Sequence, residues 1–325
     1  MKVAVIGANG LIGSRVVESF HLGGGPSVVA IPHHPARSVL AARFTVDIRA
    51  ADAFDADSLA RALQGCNAVV HAVRGEQSTL KRLASAVCRA AAQAGVRRLV
   101  YLSSSSVHGP SPAPGTNEQS RIQPASLGED ARAQLVAERQ VLADCRRLSI
   151  AAYVLRPGIV YGPRSPLVAE IATLLRDERA TLLDKGATIL NSVYVDNLVA
   201  GIRGCLRAKE GAGQPYLIAD AETVTWKDFY HAIARELDLP ASRMRSVEAA
   251  TFASHSDAPS PDEAAASLPH GLQSGLLSLQ ENGWKPSTQS AARIIGYAPV
   301  VTFSEAIRRS CAWWRFSQGD FFAAA

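Results

Sequence analysis

The stretch KVAVIGANGLIGSRVVESF, residues 2–20, decides the fold. A β-branched apolar run, KVAVIG (2–7), passes directly into Gly7-Ala8-Asn9-Gly10-Leu11-Ile12-Gly13 and then into a helical pattern. In such a turn Gly7 permits the sharp exit from the strand, Gly10 lets the backbone approach a pyrophosphate, and Gly13 allows close helix–strand packing. The helix start that follows offers free N–H groups and a positive dipole end to phosphate. GxxGxxG alone is a weak signal, because glycines also end strands for structural reasons. Its place between a first strand and a first helix makes dinucleotide binding the expected role.

Outward from this turn the pattern repeats. Strand candidates are SVVAI (27–31), AVVHAV (68–73), RLVYLSS (98–104) and AAYVLRP (151–157), with Ala/Leu/Arg-rich helical segments between them. Nearly continuous apolar strands alternating with helices predict an α/β fold: a doubly wound parallel Rossmann sheet with helices on both faces. A smaller, mostly helical C-terminal part is expected to complete it. Residues 1–163 are expected to form the dinucleotide-binding domain. The chain should leave the sheet after about 162, and 190–220 should return to it as a strand–helix–strand unit. Residues 164–189, read as mostly helical, and 221–325 would then form a substrate-binding domain. Within it, 222–245 reads as a helix opened by a Thr/Trp/Asp turn, and the Ser/Pro/Ala-rich stretch 253–290 as a long loop or cap.

Composition narrows the class. A chain of 325 residues with 47% hydrophobic and 19% charged residues can bury a sizeable core and reads as an ordinary soluble enzyme. The net charge is +5, but the bases are scattered, with Arg97-Arg98 and Arg146-Arg147 placed at expected helix ends. No basic stripe alternates with aromatics, so no nucleic-acid partner is expected. The five cysteines lie apart in sequence, without CxxC pairs or nearby histidines, which fits reduced core thiols and no metal site. With no signal-like start and no long apolar run, a cytoplasmic protein without membrane contact is expected.

The second strand ends IPHHPAR, without the carboxylate that would hold a free ribose 2′-hydroxyl. His33, His34 and Arg37 can instead face a 2′-phosphate. That predicts NADP(H), with NAD(H) the alternative if this is only a solvated basic loop.

Several stretches together resemble the extended short-chain dehydrogenase/reductase family, in its NAD-dependent epimerase/dehydratase group. They are GANGLIG (7–13), AVVHAV (68–73), VYLSSSSVHG (100–109), RPGIVYGP (156–163), SVYVDNLV (192–199) and GYAPVVTFSEAIRRSCAWW (296–314). The resemblance implies a small-molecule substrate under a C-terminal domain, with homodimers common. It would place Asp47 and Ile48 at the adenine, and His71 and Ala72 near the ribose and phosphates, with Val73 also at the cofactor. Pro157, Gly158 and Ile159 would lie near the nicotinamide, and Ser103 would also contact the cofactor. Ser104, three residues before Val107, matches the hydroxyl that in the family bonds the reacting oxygen.

One departure stands out. The family's YxxxK pair falls here on Asp130 and Gln134, counted back from Glu138, and no tyrosine occurs between Tyr101 and Tyr153. Gln134 can hydrogen-bond ribose hydroxyls but brings no charge. Asp130 would replace a phenol as acid only if an apolar pocket kept it protonated. It also reads as an ordinary first-turn anion behind a Ser126-x-x-Glu129 capping box. His108, standing where VYG has tyrosine, is an alternative acid or a loop-packing residue. Arg74, after the 68–73 strand, is a possible anion holder or a solvated base. Three readings follow: an oxidoreductase with a displaced proton donor, a non-redox isomerase, lyase or cyclase, or a cofactor-binding sensor.

Overall fold

The computed structural model describes residues 1–32, 42–73, 77–240, 244–249, 273–281 and 283–319. Seven strands form one sheet, in the order β10-β6-β5-β4-β1-β2-β3. They are β1 (Lys2–Ile6), β2 (Ser27–Ile31), β3 (Asp47–Ile48), β4 (Ala68–His71), β5 (Arg98–Leu102), β6 (Ala151–Pro157) and β10 (Gln214–Ile218). Every pairing in it is parallel. Order reverses between β1 and β4, the crevice where doubly wound sheets bind ligands.

Both faces of the sheet are covered, which explains the unbroken apolar strands. Helix α1 (Leu11–Leu22) and α6 (Val195–Arg207) pack with Val3, Val5, Val70 and Leu155 on one face. On the other face lie α2 (Ala56–Leu63), α3 (Gln77–Gln93) and α4 (Glu129–Arg147), packed with Ala4, Val69, Leu99 and Val154. A further core joins α5 (Pro166–Arg176), α7 (Trp226–Glu236) and α10 (Phe303–Gln318) around Trp226, Phe229 and Ile171. Helix α7 opens on the expected turn: Thr225 and Asp228 form a reciprocal capping box.

Several local expectations are corrected. Residues 164–189 are helical over α5 and a 3-10 turn at Asp184–Gly186, but between these the chain forms β8 (Thr181–Leu183), which pairs with β11 (Arg245–Val247) beyond the end of α7. The strand at 192–194, β9 (Ser192–Tyr194), pairs with β7 (Ile159–Tyr161) in a separate two-stranded sheet, and the chain re-enters the large sheet only at β10. Three-residue strands carry too little alternation to be told from loop. Of the expected loop or cap at 253–290, residues 253–272 lie outside the described residues; beyond them come α8 (Gln273–Gln280) and α9 (Gln289–Ile295). Arg98 opens β5 rather than closing a helix, and its guanidinium donates to the carbonyls of Cys205 and Ala208 at the end of α6. All five cysteines are buried and free, but Cys88 and Cys145 are not isolated in space: α3 and α4 bring their sulfurs to 3.5 Å. No helix among the described residues is long and apolar enough to cross a membrane.

Candidate active site

The glycine turn is built as its spacing requires. Gly7 has φ +83°, and its N–H bonds Ile31 O at 3.0 Å. A Cβ there would lie 2.8 Å from Ala72 O, so the exits of β1 and β4 abut. A Cβ on Gly13 would fall 2.1 Å from Gly7 O. Only hydrogen fits between the helix and the turn. Gly10 caps α1 without a side-chain bond, and the first turn holds no acid, so its N–H groups remain open to an anion. Leu11 and Ile12 form that turn beside Asn9, whose Oδ1 is buried without a partner among the described residues.

At the end of β4, His71 is buried and stacked on Tyr101, with ring centroids 5.2 Å apart. Burial lowers its pKa to about 4, and Nδ1 has no partner among the described residues. Ala72 N bonds Ile6 O at 2.9 Å, and Val73 follows, half-buried. Asp47 and Ile48 do form an edge strand, but the structure does not bring the Asp47 carboxylate to the glycine turn. It binds Arg49 at 2.7 Å and Lys2 at 3.1 Å, and lines a cavity of about 240 Å³ with Lys2, His21 and Ser27, where β1 and β2 begin. His33, His34, Arg37 and Arg74 lie outside the described residues.

The serine loop leaves β5 as a 3-10 turn, Ser105–His108, capped by Ser104. Ser104 Oγ accepts from Ser106 N at 3.2 Å and Ser106 Oγ at 2.9 Å. A hydroxyl has two acceptor positions and one proton. With both acceptors used, the Ser104 proton is left to donate outward. Val107 anchors the turn on Ala131 and Leu135 of α4.

Helix α4 carries Asp130, Gln134 and Glu138 one turn apart on one face, and Glu138 fixes where that face points. Its buried carboxylate accepts from Ser103 Oγ at 2.7 Å and from Arg156 Nε and Nη2 at 3.0 and 2.5 Å. Arg156 Nη1 lies 3.0 Å from His108 Nε2. A guanidinium only donates, so Nε2 must accept and the imidazole is neutral with its proton on Nδ1. Burial, then the Arg156 charge, lowers the His108 pKa to about 4. That geometry favours a packing role over an acid role, as does the contact of the ring with Trp284, centroids 5.7 Å apart. An arginine inside the apolar run AAYVLRP was a readable sign that a buried partner existed; which residue it was could not be read.

Asp130 stands in the first turn of α4 but is exposed, and its Oδ1 accepts from Gln77 Nε2 at 2.5 Å. Among the described residues no apolar pocket encloses it as a protonated acid would need. The expected capping box is also absent. Ser126 Oγ donates to Gln123 O within a Pro124–Ser126 turn, and Gly128 is the N-cap without a side-chain bond. Gln134 is half-buried, with Oε1 unpartnered among the described residues. Pro157, Gly158 and Ile159 turn the chain out of β6: Gly158 N bonds Ile218 O and Ile159 N bonds Asn191 O. Tyr161 is fully buried.

Residues 3–219, running from β1 past the end of β10, match the model of the NAD dependent epimerase/dehydratase family. The chain belongs to this family. A UDP-glucose 4-epimerase of Vibrio cholerae is 26% identical over 258 residues, covering 74% of this chain and 76% of that protein. Among solved structures, the dTDP-glucose 4,6-dehydratase DesIV of Streptomyces venezuelae, with NAD and TYD bound, shares the fold at TM-score 0.77. It is 22% identical over 99% of each chain. MoeE5 in complex with UDP-glucose and NAD gives TM-score 0.73 at 20% identity, over 98% of this chain and 100% of that one.

Proposed function

We propose that this chain is an NAD(P)-dependent epimerase/dehydratase-type oxidoreductase that acts on a small hydroxy- or keto-bearing substrate without a tyrosine–lysine acid pair. The observation that carries the reading is the glycine turn, where Gly13 meets Gly7 so closely that no side chain fits. The surroundings suit a dinucleotide. Asn9 Oδ1, His71 Nδ1 and Gln134 Oε1 are buried polar atoms lacking partners among the described residues. Hydroxyl and amide groups of a bound cofactor would satisfy them. The bound dinucleotide supplies the hydride acceptor or donor.

The chain's own residues orient and polarise. Ser104 donates its free proton to the reacting oxygen, from a turn clamped between α4 and the Ser103–Glu138–Arg156 network. Gln134 holds ribose hydroxyls in place of a cation. Asp130, solvated and bonded to Gln77, contributes negative charge at the rim and can accept a proton. Positioning of this kind lowers a barrier without a tuned phenol, whose acid–base help is typically about 100- to 10,000-fold. Residues 164–189 and 221–325 shape the substrate side.

NADP(H) is the proposed form, supported by the absence of an acid after β2; the similar solved structures hold NAD. Nucleotide sugars are the first substrates to test, because the similar proteins are named for them. Fluorescence titration with NAD⁺, NADP⁺ and their reduced forms, followed by turnover with product analysis, tests the reading. Tight binding of at least one form is expected. Affinity for none of the four would overturn it. Turnover without net change in nicotinamide absorbance would identify a non-redox reaction, and binding without product would identify a sensor.

A further inference from the structure

We infer that Arg164 is a phosphate-binding residue of the dinucleotide site, reaching the first turn of α1 from the segment that follows β7. The inference rests on the dinucleotide reading above. Arg164 has φ +69°, a left-handed conformation that L side chains adopt sparingly and that clusters at functional positions. Its neighbours hold it there. A Cβ on Gly162 would lie 2.7 Å from Val195 Cγ1, so this turn is pressed against the start of α6. Ser165 N closes the turn on Gly162 O at 3.0 Å and then caps α5. The side chain is thus aimed across to α1 from a rigid support.

There it donates to Ser14 Oγ, across 150 positions of sequence. Ser14 Oγ in turn donates to Gly10 O at 2.7 Å, which ties the contact to the phosphate-facing turn itself. A guanidinium has five N–H donors, and this is the one bond it makes among the described residues. Arg15 is neutralised by Asp196 and Glu18 and Arg156 by Glu138, while the half-buried Arg98 and Arg203 each spend their guanidinium on two acceptors, the carbonyls of Cys205 and Ala208 for Arg98 and the carbonyl and hydroxyl of Ser19 for Arg203. Among the described residues no carboxylate lies within ion-pair distance of Arg164. Burial, and then the like charge of Arg43, lowers its pKa, with only Glu18 acting the other way. A half-buried, unpaired guanidinium is costly unless an anion comes to it. The planar fork suits a phosphate, and the first turn of α1 contains no acid that would compete.

Two phosphates of the cofactor have this chemistry: the pyrophosphate shared by both forms, and the 2′-phosphate of NADP alone. Calorimetric titration of wild type and Arg164→Gln with NAD⁺ and with NADP⁺ separates them. Loss of a charge-assisted hydrogen bond should weaken binding about 10- to 100-fold. Equal losses for both forms assign the pyrophosphate, and a loss confined to NADP⁺ assigns the 2′-phosphate; either supports the inference. Wild-type affinity for both in a folded variant overturns it while leaving the dinucleotide reading intact. Failure of the wild type to bind either form overturns both. If Arg164→Gln does not fold, phenylglyoxal modification of the wild type decides the matter. Protection of Arg164 by saturating dinucleotide, read by peptide mass, supports the assignment, and equal modification with and without it overturns the assignment.

Discussion

Arg156 Nη1 stands 3.0 Å from His108 Nε2 while its other nitrogens grip Glu138, so one buried guanidinium sets both the tautomer of a loop histidine and the face of α4. Protonating His108 would place two donors and two like charges together. The pKa near 4 in the fold lies below the ordinary imidazole value of about 6.5, so between these values the unfolded chain binds more protons. Stability from His108 is therefore complete above about pH 6.5 and drains as pH falls toward about 4. His71, lowered to about 4 by burial, adds a loss in the same window. Thermal melts across this range should show a shallower decline for His108→Gln, which keeps an acceptor for Arg156, with the His71 share remaining. A slope equal to wild type would remove His108 from this account.

Glu138 is 2% exposed and Arg156 4%. Breaking such a buried pair strands one charge, at a cost of about 3–5 kcal/mol. Urea unfolding of Glu138→Leu should show a loss of that order. Adding Arg156→Met should recover much of it, because no charge is then left unpaired. A double variant no better than the single would contradict this.

The glycines of the turn should separate into two kinds. A Cβ on Gly13 collides with the backbone at Gly7, so Gly13→Ala should lower the melting temperature and abolish dinucleotide affinity together. At Gly10 the nearest atom is 3.4 Å away and φ is −72°, so Gly10→Ala should fold with stability near wild type. It should lose affinity all the same, because the added methyl stands where the pyrophosphate approaches. Melting curves paired with cofactor titrations check both.

If Ser104 polarises the reacting oxygen, Ser104→Ala should lower kcat roughly 100- to 1,000-fold while leaving cofactor affinity near wild type. Asp130→Asn, at an exposed position that keeps its bond partner Gln77, should change the rate far less if Asp130 serves only the helix start. A large loss from Asp130→Asn, measured on a confirmed substrate, would make it the base of the reaction.

What could be read from the sequence was whatever local rules enforce. Residues 2–13 specify strand, turn and helix through three glycines, and the apolar runs specify a sheet covered on both faces, because side-chain period and backbone sterics act over a few residues. Where two local rules competed, the reading failed: Ser126 spends its hydroxyl on Gln123 O, so the box with Glu129 never forms. The short strands β8 and β11 exist through each other, which no window of sequence contains. The same holds in the site. That Asp130 would be solvated, that His108 would be a neutral acceptor under Trp284, and that Arg164 would cross to Ser14 were decided by contacts between elements distant along the chain. Burial and charge compensation are properties of the packed molecule. The amino-acid order names the groups, and only the tertiary structure determines which are left facing one another without water.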